Sequence, residues 1–526
     1  MAGSPIYIAL AAVYFSGLIL TGVLSGRHKG DSNQYLNATS ALPAWVCATA
    51  CIAANCGSLD LFAMMALGAQ YGMLACHFYW IGAIPALLVV ALWLLPAYKR
   101  GQNPTILGFI ARHYGNETRS IVALCMAAMM MLIAGVSLCA VAQTVTAFLG
   151  WTFLHGVLVA AAIVLFYTWV GGFRATVYTE LFHFALVLIA VVPLLFLVTC
   201  EMGGFKHLLA SIPASRAHAW QGVPLFSPRS VMDVFGLVFG LGLVLSFGFW
   251  GTDFVQLQRA LAVQRERDAP FIPLSVGFAK LAFALLVALT GVAAPLVLSS
   301  AQLGRNWNAT LPMLMLHYYR SVWLFLGFMG LVAGLLSTFS NNVAGFTSAW
   351  VQGIYQQWLR PHASDRHYTR VSRVTNAAVV LLAVGAAHFA LGFQSLMEYI
   401  QLILSTFNAP LFALVALAAL APRRSSGGGR AGFLLGLGCG FIHQVLALTH
   451  VIRYGSQMAA NFYGAVLGFT VALASTLLIG WRHASTEQAE DSHRASAVFM
   501  NPIARPVVVV AICLAGLFVF FNLAFR

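Results

Sequence analysis

The sequence predicts an all-α polytopic membrane protein with about fourteen transmembrane helices. Of its 526 residues, 60% are apolar and only 8% are charged, and the mean hydropathy is +0.85. Soluble domains carry about 25% charged residues, whereas a helix needs about 20 mostly apolar residues to cross the hydrocarbon core of a bilayer. The predicted spans are residues 5–25, 41–70, 73–97, 119–148, 152–171, 178–200, 231–257, 273–299, 321–351, 370–391, 396–421, 431–452, 460–481 and 505–524.

The basic residues lie mainly in alternate loops between these spans. If the first loop, with Arg27 and Lys29, is cytoplasmic, the loops on that side hold 20 Lys and Arg residues against 7 on the other. Cytoplasmic loops carry the excess of basic residues, so we expect both termini outside the cytoplasm of a bacterial inner membrane. The net charge of +14 is spread over short loops and does not indicate nucleic-acid binding. The first span lacks preceding basic residues and a cleavage site, which predicts a retained helix rather than a signal peptide.

The candidate functional residues all lie between residues 41 and 421, and the last three spans contain few polar clusters. We therefore expect a transporter core at residues 41–421, with an accessory helix and loop at 1–40 and three accessory helices at 422–526. The core holds ten spans, which divide into five at 41–200 and five at 231–421. An odd number of crossings in each half means that the two halves enter the membrane in opposite directions.

The first span of each half is interrupted by small and polar residues. The interruptions lie at residues 53–60 and 246–253, in corresponding positions of the two halves. Matched broken helices are a sequence indication of a midplane binding site in an inverted-repeat transporter.

Two adjacent hydroxyl side chains, Ser337 and Thr338, interrupt another apolar span. A dehydrated hard cation needs oxygen ligands, and two hydroxyls with nearby backbone carbonyls supply them. In membrane helices, such hydroxyls also bond back to their own backbone or to a neighbouring helix. We interpret the pair as part of a sodium site.

Asp60, Asp253 and Lys280 are charged side chains within the predicted spans. An isolated charge at mid-membrane costs about 2.5–3.5 kcal/mol on a translocon scale, so each of them must be paired, neutralised or facing water. Asp253 and Lys280 would offset each other's cost if they faced one cavity. Such a cavity could bind solute, or the two residues could form a purely structural ion pair.

Several motifs of this chain, taken together, resemble those of the sodium:solute symporter family. They are Arg112–Arg119, Gly171-Gly-Phe-Arg-Ala-Thr-Val-Tyr-Thr-Glu180, Trp250-Gly-Thr-Asp253 and Gln258-Arg259, and the resemblance runs over about residues 27–421. The family includes sodium/glucose, sodium/proline and pantothenate carriers. The resemblance implies a leucine-transporter-like core of ten helices in two inverted repeats, with sodium-coupled import of a small polar organic solute by alternating access.

The resemblance also implies which residues bind sodium. It places the ion between the first and eighth core helices, on carbonyls of Ala53, Cys56 and Gly334 and hydroxyls of Ser337 and Thr338. A two-residue length difference leaves Asn55 and Ser58 as an alternative register on the first core helix. Glu180 stands where the family usually has Asp, and corresponds to a way-station for sodium leaving to the cytoplasm.

The solute residues are carried over in the same way. Lys280 and Gln401 match positions that contact sugar in a carrier of the family, and Asp253 stands where that carrier has Asn. Tyr79 occupies the region of a sugar-contacting Glu, and Asp60 lies in the first interruption. The two acids with one Lys favour a zwitterion or a hydroxylated solute over a simple carboxylate.

The chain contains no P-loop and no His-Glu-x-x-His motif, which argues against ATP-driven pumping and zinc-protease activity. We expect a carrier rather than an enzyme, with Na⁺ as coupling ion and no cofactor. The alternatives are proton coupling through Asp60, Asp253 or Glu180, and a transporter-like sensor that binds solute without moving it.

Overall fold

The computed structural model describes residues 43–96, 105–170, 173–253, 260, 263–299, 303, 306–420, 425–482 and 505–526. These residues form helices joined by turns and loops, with no β-strand among them, so the predicted all-α class is confirmed. The predicted first span at 5–25 lies outside the described residues, as do Gly171 and the Gln258-Arg259 motif.

The first half of the core begins with a helix in two pieces. Its elements are α1 (Ala44–Asn55), α2 (Ser58–Tyr71), a 3-10 segment (Gly72–Phe78), α3 (Ile84–Val89, continued by a π-helical turn over Val90–Leu94), α4 (Ile106–Leu149), α5 (Phe153–Val170) and α6 (Phe173–Glu201). The long helix α4 contains a kink at Gly115, whose φ of 85° suits glycine because it has no Cβ.

The second half follows two short helices, α7 (Phe205–Ser211) and α8 (Ala214–Ala217). Its spans begin with a π-helical segment (Gly236–Ser246) and α9 (Phe247–Thr252), followed by α10 (Phe271–Phe283), a π-helical turn (Ala284–Ala288) and α11 (Leu289–Val297). After α12 (Thr310–Tyr318) come α13 (Ser321–Trp350, continued over Val351–Leu359), α14 (Asp365–Ala390), α15 (Leu396–Ile403), a π-helical turn (Leu404–Asn408) and α16 (Ala409–Leu420). Three further helices close the described chain, α17 (Ser426–Leu448), α18 (Gln457–Arg482) and α19 (Arg505–Ala524).

Ten helices of the described chain are long and apolar enough to cross a membrane. Three more predicted spans contain shorter apolar helices, Ile84–Leu94, Phe153–Leu165 and Gly236–Thr252. The total of about fourteen, and the division into a core at 41–421 and accessory helices, therefore stay predictions.

The distribution of basic residues predicts that one end of the bundle faces outside the cytoplasm, and we call it the outer end. It contains the end of α2, the loop that includes α7 and α8, the turn before α15 and the turn between α17 and α18. The opposite end is called the inner end.

Small residues allow α2 to lie close to two other helices. At Gly68, a Cβ atom would lie 2.6 Å from the carbonyl oxygen of Ala288, and at Gly291 it would lie 2.5 Å from that of Met65. At Gly334 of α13, it would lie 2.0 Å from Ser58 Oγ. Close backbone approach at small residues is a common way for membrane helices to associate, and here it fixes the first core helix against α11 and α13.

Candidate functional site

The first core helix is interrupted where the sequence predicts. Helix α1 ends at Asn55, and α2 begins at Ser58, with Cys56 and Gly57 in non-helical conformations between them. The Asn55 side chain donates to the Cys51 carbonyl at 2.8 Å, which fixes the end of α1. A break of this kind turns backbone carbonyls away from the helix axis and makes them available as ligands.

The second half contains a matching end. The segment from Gly236 is π-helical up to Ser246, and α9 continues to Thr252, so most of the interruption predicted at 246–253 is helical. The helix ends before Asp253, whose φ of −62° and ψ of 115° are extended. Thr252 donates to Asn408 Oδ1 at 2.6 Å, and Trp250 Nε1 donates to the Gly82 carbonyl at 3.1 Å. These contacts hold the end of α9 against α3 and the helix of α15 and α16.

The two helix ends meet at one cavity of about 200 Å³, which we call the central cavity. Its polar lining includes all five predicted solute residues: Asp60, Tyr79, Asp253, Lys280 and Gln401. The remaining polar side chains of its wall are Asn55, Ser246, Thr338, Asn341 and Asn342. Four aromatic rings also line it: Phe78, Tyr79, Phe249 and Trp250.

Lys280 is the centre of the polar network in this cavity. Its Nζ donates to the Asn55 carbonyl at 2.7 Å and forms an ion pair with Asp60 Oδ1 at 3.1 Å. Tyr79 OH donates to the other carboxylate oxygen of Asp60 at 2.8 Å. The ammonium also lies 4.8 Å from the centroid of the Tyr79 ring, within cation–π range. The cost of burying Lys280 is thus offset by Asp60 and by a carbonyl that the helix break makes available.

Lys280 forms its ion pair with Asp60 and not with Asp253, the partner expected from the sequence. Asp253 nevertheless lines the same cavity, as expected. The partner changes because the break places Asp60 in the first turn of α2, facing α10. The ionisable carboxyl and amino groups of the described wall are Asp60, Asp253 and Lys280, which gives it a formal net charge of −1.

Gln401 contributes an acceptor to the cavity wall. Its side chain is buried, and its Oε1 has no hydrogen-bond partner among the described residues. Ser246 Oγ, at the end of the π-helical segment before α9, is also buried and has no hydrogen-bond partner among the described residues. A buried polar atom without a partner carries a free-energy cost, which a ligand with hydroxyl groups would remove.

The hydroxyl pair of α13 lies beside the break of the first core helix. A Cβ atom at Gly57 would lie 2.7 Å from the Ala53 carbonyl oxygen and 3.9 Å from Thr338 Oγ1, so both oxygens lie close to Gly57. Thr338 Oγ1 also donates to the Gly334 carbonyl at 3.0 Å, the local back-bonding typical of such residues. Ser337 is buried. Backbone and hydroxyl oxygens of both helices are therefore within one small region.

The sequence matches the model of the Sodium:solute symporter family over residues 35–436, most of the chain. This chain belongs to that family. Among curated relatives, the sodium/glucose cotransporter of Vibrio parahaemolyticus is 23% identical over 422 residues, covering 76% of this chain and 77% of its own length. Sodium/myo-inositol cotransporter 2 of Oryctolagus cuniculus is 24% identical over 482 residues, with coverage of 84% and 70%.

Solved structures agree on the fold. A Na⁺-coupled sialic acid symporter in a substrate-bound, outward-open state matches with a TM-score of 0.76 at 15% identity, over 91% of this chain and 98% of its own. MhsT in complex with L-phenylalanine matches with a TM-score of 0.53 at 14% identity, over 86% and 99%. The fold is that of the leucine-transporter class.

The protein is accordingly a sodium-coupled solute symporter of the membrane, not an enzyme, and Na⁺ is its coupling ion. Symport requires that one conformation bind ion and solute together. The change to the opposite-facing conformation must then occur with both bound. The helix break shared by the central cavity and the α13 hydroxyls is suited to that coupling, because one backbone segment contacts both.

Glu180 of the symporter lies outside the central cavity. It is buried on α6, and its Oε1 accepts a hydrogen bond from Asn341 Nδ2. Asn341 itself lines the cavity. The Glu180 carboxylate is thus linked to the cavity wall through Asn341. Along α13, Asn341 lies closer to the inner end than the hydroxyl pair does.

Three residues of the cavity wall were not predicted from the sequence: Asn341, Asn342 and Ser246. A signal for the first two was available, because they follow Ser337 and Thr338 by four residues and so share their face of α13. Asn342 Nδ2 donates to the Thr338 carbonyl at 2.9 Å, which ties it to the hydroxyl pair.

Proposed function

We propose that this symporter imports a small, neutral, hydroxylated solute with a single ring, such as a monosaccharide or a cyclitol. The observation that carries the proposal is the chemistry of the central cavity. Its net charge of −1 disfavours an anion, and the Gln401 and Ser246 oxygens offer hydrogen-bond acceptors to hydroxyl donors. Its volume of about 200 Å³ is below the ~300–1,000 Å³ of drug-sized sites.

Two further observations support this solute class. The Phe249 and Trp250 rings give the cavity flat apolar faces, against which the C–H face of a ring solute can pack. Relatives of the chain are named as sodium/glucose, sodium/myo-inositol and sodium/mannose cotransporters. In this proposal, Asp60, Tyr79, Asp253, Lys280 and Gln401 bind the solute.

We place the sodium ion between the first core helix and α13. Its ligands are the carbonyls of Ala53, Cys56 and Gly334 and the hydroxyls of Ser337 and Thr338. The alternative register is less well supported, because the Asn55 carbonyl accepts from Lys280. Ser58 Oγ is buried against Gly334 and has no hydrogen-bond partner in the described chain, so it remains within reach of the same ion.

The transport cycle follows from this placement. Sodium bound across the break fixes the first core helix against α13, which completes the cavity wall and raises solute affinity. Loss of sodium past Asn341 and Glu180 to a low-sodium cytoplasm then releases the solute. The orientation is part of the proposal: both termini outside, in a bacterial inner membrane, as the 20-to-7 distribution of basic residues favours.

The test is uptake into proteoliposomes containing the full chain, measured for a panel of monosaccharides, cyclitols, amino acids and monocarboxylates. We expect uptake of a hydroxylated neutral solute that requires an inward Na⁺ gradient and stops when choline replaces Na⁺. Uptake of amino acids alone would replace the solute class by a zwitterion. Uptake driven equally well by a proton gradient without Na⁺ would remove the sodium site.

A further inference from the structure

A buried carboxylate joins two core helices at the outer end. Glu398 is in the first turn of α15 and is 5% exposed. Its Oε1 accepts hydrogen bonds from Tyr71 OH at 2.5 Å and from Gln70 Nε2 at 2.9 Å. Both donors are at the end of α2, more than 300 residues away in sequence. A buried carboxylate without donors is costly, so these bonds hold α2 and α15 together.

The position of the cluster relative to the central cavity gives it a function. Helix α2 runs from Asp60 and Met64 in the cavity wall to Tyr71 at the outer end, and α15 runs from the outer end down to Gln401. The hydrogen bonds to Glu398 therefore cross the gap between the two helices on the outer side of the cavity. A solute that enters between these helices from outside must part them.

A second contact of Glu398 shows which side of the cluster is fixed. Its backbone carbonyl accepts from Asn461 Nδ2 of α18 at 2.8 Å. The main chain of α15 is thus attached to α18, while the Glu398 side chain reaches across to α2. Breaking the side-chain bonds would remove this link between α2 and α15 and leave α15 attached to α18.

We propose that Glu398 is a positioning residue of the transport cycle, which holds Tyr71 and Gln70 while the outer path to the central cavity is closed and releases them when it opens. The inference rests on the cavity and the orientation proposed above. It adds a gate residue that does not itself touch the solute.

The experiment measures access to the cavity rather than uptake. Ser246→Cys places a thiol in the cavity wall of the full chain, and its reaction with a membrane-impermeant thiol reagent is followed from outside intact expressing cells. The same chains without Ser246→Cys correct for the nine native cysteines. The test variants are Tyr71→Phe, which removes only a hydroxyl, and Glu398→Ala. The matched control is Tyr399→Phe, because Tyr399 OH has no hydrogen-bond partner among the described residues.

We expect Tyr71→Phe and Glu398→Ala to raise the labelling rate of the Ser246→Cys thiol about tenfold, since lost bonds favour the open state. Glu398→Gln keeps an acceptor and should fall between wild type and Glu398→Ala. In uptake, Tyr71→Phe should lower both the Na⁺ concentration for half-maximal uptake and the maximal rate, a combination that simple destabilisation does not produce.

Equal labelling rates in Tyr71→Phe and Tyr399→Phe would overturn the proposal, whether or not Glu398→Ala reaches the membrane. The labelling requires no knowledge of the solute. A wrong solute class would therefore change the result of the uptake panel and leave the expected labelling rates unchanged, whereas a wrong gate would abolish the expected difference in labelling.

Discussion

The central cavity and the sodium site proposed beside it share one helix break but differ in the chemistry that holds them together. In the cavity, charged side chains from distant segments pair with each other, as Lys280 and Asp60 do. In the sodium site, the proposed ligands are neutral carbonyls and hydroxyls, three of which fall within one turn of α13. The difference predicts that removing one charge from the cavity abolishes solute uptake, whereas removing one sodium ligand lowers sodium affinity without abolishing it.

The largest effect should come from Lys280→Ala. Removing one partner of a buried ion pair costs about 3–5 kcal/mol, and here it leaves the Asp60 carboxylate and the Asn55 carbonyl without their common donor. We expect uptake to be abolished at normal membrane expression. Initial rates in proteoliposomes, with protein amount determined by immunoblot, are the measurement.

A double variant separates a structural role from a solute role. Asp60→Asn combined with Lys280→Gln removes both charges and keeps polar groups in the wall. If the pair is only structural, this variant should recover thermal stability and uptake together. If the pair binds solute, stability should recover while uptake stays absent. Normal kinetics in Lys280→Ala would contradict any role in solute binding.

The next largest effect should follow from Ser337→Ala and Thr338→Ala. Each removes one proposed ligand but leaves the α13 backbone bonds intact, and a net loss of about 1.4 kcal/mol weakens affinity about tenfold. We expect the Na⁺ concentration for half-maximal uptake to rise by about that factor in each variant. Solute affinity should fall as well, because the coupling between two ligands is reciprocal. Unchanged sodium dependence in both variants would contradict the proposed sodium site and favour proton coupling.

The comparison also shows what a sequence can reveal about such sites. The helix breaks and the hydroxyl pair are local patterns of small and polar residues, and the structure contains the expected interruption at Cys56 and Gly57. The fold class follows from apolar segments of sufficient length. The break at Cys56 and Gly57 and the all-α class depend only on neighbouring residues, which is why they could be predicted without knowledge of tertiary contacts.

Pairings between distant segments cannot be predicted from neighbouring residues alone. Lys280 meets Asp60 across 220 residues, and Glu398 meets Tyr71 across 327. The cost of burying a charge says that a partner exists but does not say which one, so Asp253 was an equally reasonable choice for Lys280. Glu398 gave no sequence signal, because a carboxylate in the first turn of a helix is commonly a favourable end charge.

A smaller effect is expected from Asp253→Asn. The change makes the formal charge of the cavity wall zero while keeping the size and one acceptor oxygen of the side chain, and Asn stands at this position in the carrier that the motif resembles. We expect the KM for a neutral solute to change by less than about threefold, well under 1.4 kcal/mol. Uptake kinetics for the best solute of the panel are the measurement. Abolished uptake would indicate that the charge itself is needed, as it would be if Asp253 carried a coupling proton.

The smallest effect should come from Thr338→Ser, which tests whether the oxygen or the shape of this side chain matters. The substitution keeps Oγ, which lies close to Gly57 and donates to the Gly334 carbonyl, and removes only a methyl group. If Thr338 serves as an ion ligand, sodium dependence in Thr338→Ser should equal wild type within about twofold, while Thr338→Val, which keeps the shape and loses the oxygen, should behave as Thr338→Ala does. The Na⁺ concentration for half-maximal uptake, measured in the three variants side by side, decides. The reverse order, with Val silent and Ser impaired, would mean that the residue packs α13 against the first core helix and that the ion lies elsewhere.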